Sequence, residues 1–214
     1  MSSKQYFEQV ASQWDEMRAG LFPENVRRKA VEKAQLVAGE IAADLGAGTG
    51  FITEELLSRG ISVIGVDQSP RMLEVLQRKF GPTGRVETHE SGADNLPIKA
   101  ESVHAVLANM YLHHVEDPGA AIREMVRILK PGGRVVITDL DKHELEFLRT
   151  EHHDRWMGFD RNDINTWLTQ AGLVSVHVEC LNESCCASPS CQPSCHNSKP
   201  EEVSIFVAYG EKPR

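Results

Sequence analysis

The stretch from Ile41 to Gly50, IAADLGAGTG, decides how this chain is read. Three apolar residues, Ile41, Ala42 and Ala43, lead into Asp44-Leu45, then Gly46, Gly48 and Gly50 follow at alternate positions, and an amphipathic segment begins at Phe51. That order describes a buried strand, a glycine turn and the start of a helix. Glycines remove side chains, so the backbone can turn tightly and a ligand can lie against it. The helix opening near Phe51 offers unpaired N–H groups to whatever occupies the turn. A dinucleotide fingerprint, G-x-G-x-x-G, keeps its third glycine inside the helix. Here the third glycine comes one place early, and an acid, Asp44, precedes the first.

An acid followed by G-x-G-x-G between strand and helix resembles motif I of the class I S-adenosylmethionine-dependent methyltransferases. The departure from the dinucleotide pattern suits that cofactor, which has no pyrophosphate but carries a cationic amino-acid moiety that a carboxylate such as Asp44 can attract. A second point of resemblance lies downstream: a helix over 119–129, the turn Lys130-Pro131-Gly132-Gly133, and the apolar strand Arg134-Val135-Val136-Ile137-Thr138-Asp139. This order is similar to small-molecule members of the ubiquinone-biosynthesis type. The resemblance covers about half of the chain. It implies an α/β fold, a doubly wound, mostly parallel seven-stranded sheet with an antiparallel last strand, and S-adenosylmethionine as cofactor.

Reading outward from the turn, residues 61–66 form a second strand that ends at Asp67, about twenty residues beyond the first motif, as a ribose-binding acid would be. One carboxylate there can accept from both ribose hydroxyls. Ser69-Pro70 opens the next helix, and Gln68 and Met72 join the cofactor candidates. Residues 85–89 are a short third strand. In the resembled family the segment after it holds the adenine, which assigns that role to the backbone N–H near Ala93 and to the Asp94 carboxylate. Residues 102–107 are a fourth strand, and Asn109, Tyr111, His113 and His114 come off its end. Methyl transfer from a sulfonium mainly needs nucleophile and methyl held in line, plus a base where the nucleophile carries a proton. His113 or His114 stands where such a base is useful, and Tyr111 can line the pocket.

Residues 4–18 read as one helix carrying Tyr6, Phe7, Val10, Trp14 and Met17, and Pro23-Glu24 opens another with Val26, Ala30, Ala34 and Val37 on one face. Residues 144–158 read as a helix whose His152, His153 and Asp154 form a solvated face, with one pocket-facing member as the alternative. A further helix runs over 160–171 with Asp160 as its cap, residues 174–178 alternate as a strand, and residues 203–208 are the last strand. Resemblance makes those two strands an antiparallel pair joined by a cysteine-bearing loop. All five cysteines fall within sixteen residues, at Cys180, Cys185, Cys186, Cys191 and Cys195, and His196 follows the last. Residues 182–200 are rich in serine and proline and read as a flexible excursion. In a reducing compartment such a cluster points to a metal or redox element rather than a disulfide scaffold. Cys185, Cys186, Cys191 and Cys195 are the candidate ligands for zinc or another soft metal. Arsenite methyltransferases, which hold trivalent arsenic on three thiolates, are a weaker resemblance and make a metalloid substrate an alternative. An incidental loop is the third reading.

The chain of 214 residues has room for one good core, and a single methyltransferase domain over 1–214 is expected: a helical cap over 1–39, a core over 40–178, the cysteine-rich loop over 180–200 and a last strand over 203–209. The net charge of −8, with no basic run, argues against a broad grip on nucleic acid. So does the sequence Asn109-Met110-Tyr111-Leu112, where a base-amino methyltransferase would carry Asn/Asp-Pro-Pro-aromatic. The N-terminal residues read as neither signal nor transit peptide and no apolar run approaches membrane-spanning length, so a cytoplasmic location is expected and no membrane partner. No G-x-x-x-x-G-K-[ST] is present, which disfavours phosphoryl transfer. A nicotinamide dehydrogenase and a non-catalytic cofactor- or metal-binding sensor on the same fold complete the alternatives.

Overall fold

The computed structural model describes residues 2–151, 153–187 and 201–214. Its strands are β1 (Ile41–Leu45), β2 (Ser62–Asp67), β3 (Val86–Glu90), β4 (Val103–Asn109), β5 (Leu129–Leu140), β6 (Val174–Ala187) and β7 (Glu201–Glu211). They form one seven-stranded sheet in the order β3-β2-β1-β4-β5-β7-β6. The strands from β3 to β5 pair in parallel, and β7 pairs antiparallel with both β5 and β6. The doubly wound, mostly parallel sheet expected from the sequence is therefore the observed fold. Strand order reverses between β1 and β4, and the crevice beyond the carboxyl ends at that switch point is where open α/β sheets take ligands.

Both faces of the sheet are covered, which is why its strands read as nearly continuous apolar runs. Ala42, Val63, Ala105 and Leu107 pack on one side against α3 (Asn25–Ala34) and α4 (Phe51–Ser58), through Val26, Ala30, Ile52 and Leu56. Ala43, Leu45, Val106 and Ile137 pack on the other against α6 (Pro118–Ile128) and α8 (Arg161–Gln170), through Ile122, Met125, Ile164 and Leu168. Local chemistry sets the helix starts. Ser69 caps α5 (Pro70–Phe80) by accepting from Met72 N, Asp117 caps α6 by accepting from Ala120 N, and each helix has proline at its first position. Asp160 caps α8 by accepting from Asn162 N, as the sequence indicates.

Three expectations are corrected. The first expected helix is two, α1 (Ser3–Val10) and α2 (Trp14–Ala19), and the break lets the Phe7 and Trp14 rings meet edge to face at 5.2 Å. The helix expected over 144–158 is only α7 (Glu146–Glu151): His153 takes a left-handed φ of 61°, and beyond it Arg155 N and Trp156 N both donate to His113 O at 3.0 Å. Finally, β6 does not stop at Val178. It continues to Ala187 through two bulges, where Ser175 and Asn182 take left-handed φ of 51° and 56°. Cys180, Cys185 and Cys186 thus lie in a strand, not in a loop. Among the described residues no helix is long and apolar enough to cross a membrane.

Candidate active site

The carboxyl ends of β1, β2 and β4 open into a cavity of about 610 Å³. Gly46, Gly48, Asp67, Gln68, Met72, Ala93, Asp94 and Asn109 line it, as do Tyr111 and His114. Gly46 has φ of 65°, and a Cβ there would come within 2.4 Å of Tyr111 Cδ2, so both the bend and the bare backbone are required. Asp67 ends β2 beside the turn. Its Oδ2 accepts from Gly48 N at 2.9 Å and its Oδ1 from Ser69 N at 2.8 Å. Burial pushes its pKa above the ordinary carboxylate value, opposed by these backbone donors. Each oxygen keeps a lone pair for a ligand hydroxyl.

Asp44 is placed differently from the sequence expectation. It is 1% exposed, it does not line the cavity, and its Oδ2 accepts from the Thr53 hydroxyl at 2.7 Å. Burial lifts its pKa to about 7, with Asp67 adding to the rise. It braces the turn from beneath and is not a contact surface for a ligand. Tyr111 is a poor proton acceptor too, since burial pushes its phenol further above its ordinary pKa.

The N-terminal segment covers the cavity, as the resemblance implied of the leading helices: Phe7 and Trp14, named on the first helix, line it, and so do Arg18 and Phe22, which the sequence reading did not single out. They are fastened there by polar links: Thr49 Oγ1 donates to Asp15 Oδ1 at 2.6 Å, while Lys79 Nζ donates to Asp15 Oδ2 at 2.8 Å and to Thr49 O at 3.0 Å. Arg18 is 7% exposed, with its guanidinium carbon 4.2 Å from the centre of the Phe51 ring. Its Nη2 donates to Glu24 at 2.7 Å, but Nε and Nη1 are buried with no hydrogen-bond partner among the described residues. Such orphaned charged donors beside a cavity fit an anionic ligand group. Met110, which follows β4 and also lines the cavity, holds φ of 48°, a strained value of the kind that gathers at ligand sites.

His113 and His114 part company. His114 lines the cavity, with its ring edge to face on Phe7 at 5.2 Å. His113 is buried behind it and does not line the cavity. Its Nδ1 pairs with Asp139 Oδ1 at 2.6 Å, and Asp139 Oδ2 also accepts from Leu112 N at 2.9 Å and His113 N at 3.3 Å. Burial alone would lower the His113 pKa, but the Asp139 and Asp154 carboxylates outweigh it and raise it to about 9. Asp154, expected on a solvated helix face, is instead 4% exposed beside both histidines.

Of the expected cysteine ligands, Cys185 is buried in the apolar cluster with Leu181, Val203 and Ile205, and its thiol is pushed up to about 12 by burial. Cys185 thus packs as part of the apolar core. Cys186 is half-buried and Cys180 exposed. Cys191, Cys195 and His196 lie outside the described residues, as does His152.

With this geometry in place, comparison with known proteins is direct. Residues 43–137 match the model of a methyltransferase domain. Over those residues the chain is a methyltransferase domain of the class I S-adenosylmethionine-dependent type. It is 36% identical over 146 residues to a demethylmenaquinone methyltransferase of Clavibacter sepedonicus, an alignment covering 67% of this chain and 60% of that protein. The chain thus spans less than two thirds of that relative's length. It is 27% identical to a ubiquinone biosynthesis O-methyltransferase of Vibrio parahaemolyticus, covering 83% of this chain and 86% of that one. Among solved structures, the putative methyltransferase in complex with the Trm112 methyltransferase activator of Haloferax volcanii superposes with a TM-score of 0.80 at 20% identity, covering 100% of this chain and 98% of that one, a likeness of fold.

Proposed function

We propose that the chain transfers the methyl group of S-adenosylmethionine to a small-molecule acceptor. The observation that carries this reading is the convergence of eight sequence-derived cofactor residues on one cavity at the switch point of the sheet. In this reading Asp67 accepts from the ribose hydroxyls, Ala93 N–H and Asp94 hold the adenine edge, and Gly46 and Gly48 let the methionyl chain lie on the backbone. Arg18, through its two orphaned donors, binds the cofactor carboxylate. Asp44 keeps the turn in shape. Phe7, Trp14, Tyr111 and His114 enclose the space left for the acceptor, and their aromatic character favours a flat organic molecule, in keeping with the quinone-pathway names of the relatives.

The acceptor's lone pair attacks the sulfonium methyl, the C–S electron pair passes to sulfur, and S-adenosylhomocysteine and the methylated acceptor leave. An acceptor that carries a proton must lose it, and of the two neighbouring histidines His114 is the one on the cavity wall. The enclosed site excludes water and fixes the line of attack. The net charge of −8 favours a small acceptor over nucleic acid, and a cytoplasmic setting fits the free thiols. Isothermal titration with S-adenosylmethionine, followed by turnover of methyl-labelled cofactor against a panel of phenols, catechols, thiols and amines, tests the reading. Binding with no label transfer to any acceptor would favour the sensor alternative.

A soft-metal or arsenite role is the second reading, now narrowed to Cys186 with Cys191 and Cys195. It is favoured by β6 running parallel to the central strands, so that its carboxyl end leaves the sheet on the side of the glycine turn. Titration of reduced protein with zinc and trivalent arsenic, against a variant with those three cysteines changed to serine, separates it from an incidental segment.

A further inference from the structure

We infer that His113, His114 and Asp154 form a binding site for one divalent transition-metal ion, with the zinc-type His-His-carboxylate donor set, at the wall of the proposed methyl-transfer cavity. The proposal rests on the methyltransferase reading for its purpose but not for its geometry. One donor atom from each of the three residues lies within 4.8 Å of the others. His113 Nε2 stands 3.7 Å and His114 Nδ1 3.9 Å from Asp154 Oδ1. Both gaps are too long for hydrogen bonds. Donors around a tetrahedral ion with bonds of about 2.1 Å stand roughly 3.4 Å apart, so the two contacts to Asp154 need contract only by about 0.3–0.5 Å, and the pair of histidine donors, within 4.8 Å of each other, by somewhat more.

The surroundings are those of a ligand set. The pairing of His113 Nδ1 with Asp139 fixes the ring and leaves Nε2 as the atom turned toward Asp154. A metal-bound histidine characteristically gives its other nitrogen to a carboxylate in this way. Asp139 is itself immobilised by the backbone donors of Leu112, His113 and Leu140. Asp154 is brought in by its own loop, which Arg155 N, Trp156 N and Trp156 Nε1 tie to the carbonyls of His113 and Val115. Asp139 and Asp154 are both buried beside this imidazole, a setting that favours a cation, either a proton or a metal ion, at His113 Nε2.

Three protein donors leave a tetrahedral ion one position for water or a ligand, and His114 places the ion at the cavity wall. An acceptor hydroxyl or thiol bound there loses its proton to solvent at neutral pH, and the resulting oxyanion or thiolate attacks the methyl group. The ion thus takes over the deprotonation that His114 would otherwise perform.

Full-length protein is stripped with chelator, loaded with zinc or cobalt, dialysed and analysed for metal. Expected is one ion per chain, retained when all five cysteines are changed to serine, and a cobalt spectrum without thiolate charge-transfer bands. D139N should weaken binding about 10- to 100-fold, and D154N by more. S-adenosylmethionine affinity, which should stay unchanged in both variants, serves as the control for folding. Failure of the wild type to retain an ion, equal retention by D154N, or loss of the ion from the cysteine-free protein would each overturn the proposal. A variant that no longer binds the cofactor is replaced by H114Q, read in the same way. Metal without cofactor binding would refute the methyltransferase reading instead, and cofactor without metal binding would refute only this site.

Discussion

The two halves of the cavity seat their buried carboxylates in opposite ways. Beside the glycine turn, Asp67 is held by main-chain N–H groups and Asp44 by one nearby hydroxyl, all within a span of 26 residues, from Asp44 to Ser69. Beyond β4, Asp139 is held by the His113 imidazole and by the backbone donors of Leu112 and His113, and a separate segment carries Asp154 up beside both histidines. The first arrangement is written into one strand-turn-helix unit and its neighbour. The second exists only once the chain has folded. A site for a common cofactor can be carried by a local motif, while the chemistry that sets one acceptor apart is assembled from distant pieces.

The strongest way to break this contrast is at Asp44. Its native pKa of about 7 lies above the 3.8 of an unperturbed aspartate, so the native state holds a proton that the unfolded state has lost. Stability contributed by this residue is fully present below pH 4 and is lost as pH rises through 7. The loss amounts to about three pH units, on the order of 4 kcal/mol. Urea titrations across that range should show a falling contribution in the wild type that D44N lacks. Parallel curves for the two proteins would mean that Asp44 is not seated by burial.

Smaller effects sharpen the contrast. D67A should weaken S-adenosylmethionine binding by about 1.5–3 kcal/mol, the scale of hydrogen bonds to a charged group, and calorimetry with unchanged affinity would remove the ribose assignment. R18Q should cost about 1.5 kcal/mol, roughly tenfold, with S-adenosylmethionine. An analogue lacking the carboxylate should bind both proteins alike, and an equal loss with it would show Arg18 to be structural. Smallest is C185S, which puts a hydroxyl in an apolar cluster and should lower stability by about 1 kcal/mol without touching metal retention. Lost zinc in that variant would return the thiol to the histidine side of the comparison.

Legibility in the sequence follows the same division. Gly46, Gly48 and Asp67 could be placed because strand ends and turn spacing position them, and Asp94 and Asn109 because they follow further strands. Arg18 could not, since its orientation depends on the break between α1 and α2 that a continuous apolar stripe conceals. Asp154 was hidden by a helical pattern that the left-handed turn at His153 breaks, after which Arg155 N and Trp156 N donate to His113 O from a distant part of the chain. The extension of β6 was masked by composition: serine-rich sequence with two bulges carries no alternating signal, yet Leu181 and Cys185 are buried in its second half. The signal that could have exposed the histidine cluster was the neighbouring pair His113-His114 itself, read as two donors aimed at one place rather than as rival bases.

The position of Trp14 has a practical side. Its indole nitrogen lies 3.8 Å from where a Cβ on Gly48 would be, whereas the other two tryptophans, Trp156 and Trp167, do not line the cavity. One chromophore of the three therefore looks directly onto the glycine turn. If S-adenosylmethionine binds at that turn, Trp14 emission should register its arrival, and stopped-flow fluorescence would time entry and release of unlabelled ligand before any acceptor is known.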